Sequence, residues 1–120
     1  MSWMDLLRPK WKHSNSFVRL AAVGKMTSQA TLAKIAASDS ESTVRIAAVY
    51  RLTDQDRLAE VARTNNDKEA RYAALENMTD PSLRKSSMAT FDYNEDEMKI
   101  FRMMAETFNY GGVRPGNRRL

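Results

Sequence analysis

Three arginines, Arg19, Arg45 and Arg71, recur at a spacing of 26 residues. Guanidinium groups repeated on successive layers of a structure have two uses: binding a run of phosphates, or tying the layers together by donating to carbonyls and carboxylates. A fixed place in every unit is what a ladder between layers requires, so the ladder is the expected role. The rest of the chemistry-bearing inventory is sparse. The chain has 120 residues with one His and no Cys, so a zinc site would need carboxylates alone or a second chain. No acidic cluster has the spacing of a calcium loop. His13 has no nucleophile near it in sequence and reads as a solvated or loop-bonded imidazole rather than a general base. Gly24 falls inside a predicted helix, while Gly111, Gly112 and Gly116 lie near the C-terminus, so the glycines form no phosphate cradle. The expectation is a non-enzyme with no cofactor.

The 26-residue period extends well beyond the arginines. Val18-Arg19-Leu20-Ala21-Ala22-Val23 returns as Val44-Arg45-Ile46-Ala47-Ala48-Val49 and again as Ala70-Arg71-Tyr72-Ala73-Ala74-Leu75. Ten of 26 positions are identical between the first two copies, several times more than chance supplies. Inside each copy the apolar residues follow helical spacing. Val44, Ala47, Ala48 and Leu52 share one side of a first helix, and Leu58, Val61 and Ala62 share one side of a second. The breaks fall at Thr27-Ser28, Thr53-Asp54 and Thr79-Asp80, where Asp80 before Pro81 reads as N-cap and N1, with Ser28 and Asp54 capping in the same way. Paired alanines at equivalent places allow close helix approach. A 26-residue helix pair cannot bury its own apolar side, but a stack of pairs can. The predicted fold is therefore all-α, a short right-handed α-solenoid of about three helix pairs with capping helices at both ends.

The ends carry their own signals. Trp3, Leu6 and Leu7 form an apolar patch on a short helix that Pro9 should end, with Trp11 just before the first repeat. Asn94 followed by Glu97 resembles a capping box, and Met98, Phe101, Ala105 and Phe108 then recur at helical spacing. The second helix of the third unit is degenerate, with Ser86 and Ser87 where the others have Ile35-Ala36 and Val61-Ala62. The expected organisation is an N-terminal cap over 1–12, repeats over 13–93, a C-terminal helix over 94–109 and a flexible basic tail over 110–120.

The quoted repeats resemble the short HEAT-like repeats of bacteria named after phycobilisome lyase subunits, over roughly residues 13–90. The resemblance implies a solenoid and a protein-binding role. It also implies a ladder in which an acidic residue six positions before the Arg takes part. That place holds Asp39 before Arg45, His13 before Arg19 and Asn65 before Arg71.

Charge and surface complete the functional expectation. The net charge of +4 sits at the two termini: Arg8, Lys10, Lys12, Arg19 and Lys25 at one end, Arg114, Arg118 and Arg119 at the other. No apolar run approaches the ~20 residues that span a bilayer, and with no Cys a reducing cytoplasm is the expected compartment. The second helices, expected to line the concave face, carry Lys34, Arg57, Glu60, Arg63, Arg84 and Lys85, a mixture of signs rather than a basic stripe. Ile100 and Met103 leave a second apolar flank on the last helix, which suits an adaptable protein contact. Residues 109–120, with three Gly, one Pro and no acid, are expected to be disordered when free. The expected function is a small adaptor or accessory subunit that binds another protein or multi-subunit complex through these residues and the tail. A nucleic-acid or ribonucleoprotein accessory factor working through the basic termini is the alternative.

Overall fold

The structure, a computed structural model, describes residues 8–107. Over that span the chain is all helical: a 3-10 turn at Lys10–Lys12, then α1 (Ser16–Val23), α2 (Gln29–Ser38), α3 (Ser42–Arg51), α4 (Gln55–Thr64), α5 (Lys68–Asn77), α6 (Pro81–Met88) and α7 (Glu95–Thr107). No strand occurs among the described residues. Trp3, Leu6, Leu7 and Phe108, assigned above to the two caps, and the stretch 109–120 lie outside them.

Local sequence explains why these helices begin where they do. Ser28 accepts from Thr31 N–H, Asp54 from the N–H groups of Asp56 and Arg57, and Asp80 from Leu83 N–H with Pro81 following. These are the three caps that the repeat predicts. The same device starts the first helix of the first and third units. Asn15 accepts from Phe17 N–H and Asp67 from Glu69 N–H. In the second unit that place holds Glu41, whose longer side chain makes no cap bond, and Asp39 two residues earlier accepts the Glu41 N–H at 2.9 Å. Gly24 lies outside α1, not within a helix as its sequence context suggested. The helix stops at Val23, and Gly24 N–H still reaches Leu20 O with the backbone at φ −59°, a conformation open to any residue. The degenerate α6 does form, two residues shorter than α2 or α4, because Ser87 hides its hydroxyl by donating to Leu83 O at 2.7 Å. Ser87 is fully buried.

Packing follows two rows. The first helices touch in sequence, α1 with α3, α3 with α5, and α5 with α7, while α4 touches α2 on one side and α6 on the other. Each row is closed by the other through the α2–α3 and α4–α5 pairs. The paired alanines Ala47, Ala48, Ala73 and Ala74 are all fully buried at these crossings, together with Leu32, Leu52, Leu58 and Leu75. In α3 burial runs further than the one-sided pattern suggests. Ile46, Val49 and Tyr50 are buried as well, because α1, α2 and α5 enclose the helix on several sides. At α1 the equivalent Ala21 is exposed.

Candidate functional site

The arginine column is resolved atom by atom. Each Arg donates through Nη1 to the main-chain oxygen six residues earlier: Arg19 to His13 O at 2.8 Å, Arg45 to Asp39 O at 2.7 Å, Arg71 to Asn65 O at 2.8 Å. The six-residue spacing thus serves a carbonyl, which every residue type offers, and no acid is needed there. Asp39, the one acid in that place, joins the ladder with its carboxylate as well, as acceptor for the Arg of the preceding unit. Carboxylates enter from the following unit instead. Arg19 grips Asp39 with Nε at 3.0 Å and Nη2 at 3.1 Å, and Arg45 holds Asp67 Oδ2 with Nε at 3.1 Å and Nη2 at 2.9 Å. The acceptor lies 20 residues on in one case and 22 in the other.

At Arg71 the acid is replaced by aromatic rings. Its guanidinium lies over the Phe91 ring at 4.2 Å from the centroid, and Phe91 in turn meets Tyr93 edge to face at 6.0 Å. The Arg71 Nε is buried without a hydrogen-bond partner. All three arginines are therefore committed to holding one unit against the next.

Burial is the largest influence on the Asp67 carboxyl and raises its pKa. Hydrogen bonds from Arg45 and Ser42, the Arg45 charge and the Glu69 N–H together outweigh burial and hold the carboxyl below its ordinary value.

Two further polar columns share the 26-residue period. The Gln29 carboxamide oxygen accepts from Thr53 N and Asp54 N at 2.8 and 3.0 Å, and Gln55 repeats this with Thr79 N and Asp80 N at 2.8 and 3.1 Å. The next place holds Pro81, and the column ends. Arg51 donates to Met26 O, and Asn77, in the same place one unit later, donates to Leu52 O at 2.7 Å. The Gln pair stands among the sequence identities, but a Gln in a repeat is not distinctive enough to reveal an inter-unit clamp.

Among the described residues, a groove of about 930 Å³ opens between α2 and α4. Ala30, Ala33 and Ala37 of α2 and the buried Val61 of α4 are the apolar part of its lining, and Lys34, Arg57 and Glu60 line it together with Thr64 and the turn 65–68. The repeat that puts helix faces in parallel thus brings together three of the expected contact residues. The Asp39 and Asp67 carboxylates at its end are already held by Arg19 and Arg45, and Arg57 sits 3.5 Å from Asp54. Lys34 and Glu60 are exposed on opposite walls. Arg63 is exposed outside this lining, with its Nε on Ala59 O.

Arg84 and Lys85 lie instead by a separate depression of about 500 Å³ with Met78, Pro81 and Met88, and Arg84 Nε is taken up by Leu75 O at 3.1 Å. Ile100 and Met103 are exposed on α7, 58% and 66%, beside Met104 at 50%. Arg114, Arg118 and Arg119 lie outside the described residues.

His13 is loop-bonded: its Nδ1 accepts the Asn15 N–H at 3.0 Å. Asn94 caps α7 by accepting from Asp96 N and Glu97 N at 2.8 and 3.3 Å. The Glu97 side chain goes to α5, where Tyr72 OH and Lys68 Nζ donate to it. Those two bonds hold the Glu97 carboxyl below its usual value.

Among the described residues, no group of three or more His, Cys, Asp or Glu is placed to hold a metal ion, and no helix is long and apolar enough to cross a membrane. No family model, curated protein or solved structure matches the chain.

Proposed function

We infer that this chain is a short right-handed α-solenoid of the HEAT-like kind, acting as a non-catalytic adaptor or accessory subunit that docks another protein. The observation that carries this reading is the α2–α4 groove. The small side chains Ala30, Ala33 and Ala37 along its α2 side let a partner backbone come close, and the exposed Lys34 and Glu60 offer one cation and one anion to a polypeptide. Ile100, Met103 and Met104 on α7 add an adaptable apolar surface, and Arg114, Arg118 and Arg119 a basic extension. The cytoplasm is the compartment that suits a chain without Cys.

A groove built for phosphates would carry cations along its length, whereas this lining mixes Lys34, Arg45, Arg57 and Lys68 with Glu60, Asp39 and Asp67. Nucleic-acid binding is consequently the second reading and rests on the basic termini. Deleting residues 111–120 separates the two. Binding to duplex DNA or to RNA is expected to be weak and sequence-blind and to fade near physiological salt. The deletion should flatten its log–log salt dependence by roughly 2–3 units, since each lost phosphate contact contributes about 0.7–0.9. A protein complex should survive the same salt. Sequence-selective nucleic-acid binding that persists there would make the second reading the better one.

A further inference from the structure

The two ends of the first-helix row expose positions that its interior buries. At one end, Phe17 is 79% exposed and borders an apolar depression of about 390 Å³ lined by Val18, Ala21 and Ala22, with Lys10 and Lys25 at its edge. Ala21 and Ala22 stand one repeat before Ala47 and Ala48, which are fully buried. At the other end, Ile100 stands six residues past its helix's N-cap, as the fully buried Ala73 does in α5, and with Met103 and Met104 it faces outward from α7.

Charge distinguishes these ends from each other. From residue 8 to residue 38 the chain has no acid and carries Arg8, Lys10, Lys12, Arg19, Lys25 and Lys34. Residues 92–107 hold Asp92, Glu95, Asp96, Glu97 and Glu106 against Lys99 and Arg102. Like ends repel and unlike ends attract, while the large apolar side chains at each end supply area to bury.

We propose that the occupant of the α7 flank is a second copy of this chain, seated by its α1 face, so that the row α1, α3, α5, α7 continues from one molecule into the next. The contact is heterologous: it leaves one α1 face and one α7 face unfilled in every assembly, and chains grow with concentration rather than stopping at a dimer. The α2–α4 groove lies outside this contact, so capture of a foreign protein there does not depend on it.

Sedimentation of the 120-residue chain from micromolar to millimolar concentration tests the proposal, with Phe17→Glu and Ile100→Lys as variants, each of which sets a like charge against the face it would meet. Both positions are exposed, and melting curves equal to the parent's establish that each variant is folded. The wild type should show an average mass that climbs past two chains. Each variant alone should stay a monomer, because one of its two faces is blocked. Mixed in equal amounts, the variants should form a pair of one of each and go no further: Phe17→Glu keeps its α7 face, and Ile100→Lys keeps its α1 face. A wild type that stays monomeric throughout overturns the proposal. So does a wild type that halts at two chains with variants that fail to pair.

Discussion

Leu58→Ala should lower stability by about 2–5 kcal/mol, because Leu58 is fully buried on α4 and its truncation removes transferred apolar area and leaves a cavity. At about 4–8 °C per kcal/mol for a domain of this size, the melting temperature should fall by roughly 10 °C or more. The opposite insult has the same sign. Ala48→Leu places extra atoms where α3 is enclosed by α1, α2 and α5, and overpacking there should cost about 1–3 kcal/mol. Thermal or urea unfolding of both variants checks this, and parent-like melting of either would mean that these helices do not stack as described.

The second large effect concerns Arg45. Replacing it by Ala strips Asp39 O and the Asp67 carboxylate of their donor at once, with the two side chains of the ion pair only 21% and 14% exposed. The expected loss is about 2–3 kcal/mol near neutral pH, below the range for a fully buried pair because water reaches part of this one. Its pH dependence identifies the cause. The Asp67 carboxyl is held below its ordinary value in the folded chain. Its contribution is therefore fully present above the unfolded pKa of about 3.9 and is lost as pH falls through the lower folded value. The gap between parent and Arg45→Ala should accordingly narrow as pH drops below about 4. A constant gap would assign the loss to packing of the arginine stem instead. Normal melting combined with loss of the bound partner would move Arg45 from scaffold to binding surface.

Helix positions were legible because three signals coincide: the 26-residue repeat, the 3.6-residue apolar spacing, and Ser28, Asp54 and Asp80 at each inner turn. The contacts between units were less legible, for reasons specific to each residue. A carbonyl six residues before each Arg leaves no trace in side-chain identity, so His13, Asp39 and Asn65 look unrelated although all three do the same work. The carboxylate partner shifts from Asp39, 20 residues after its Arg, to Asp67, 22 residues after its own, and a fixed spacing misses such a shift. Phe91 gives no sign in sequence that it ends the column by stacking on Arg71.

On the candidate surface, charge was legible and shape was not. Lys34, Arg57 and Glu60 stand out as charged positions on the second helices, whereas Ala30, Ala33 and Ala37, which line the same groove, look like ordinary helix formers. Arg84 reads as a surface cation, yet its place beside the end of α5 gives its Nε to Leu75 O.

The central claim is that the α2–α4 groove receives a protein. A photo-reactive residue installed at Ala37, exposed in that groove, tests it most directly in the native cell, with a second probe at the exposed Thr90 outside the groove as reference. One protein adduct is expected from position 37 and not from position 90. That adduct should resist nuclease and be competed away by excess unlabelled chain but not by the Ala30→Arg variant. Nucleic acid in the adduct from position 37, or the same adducts from both positions, would contradict it.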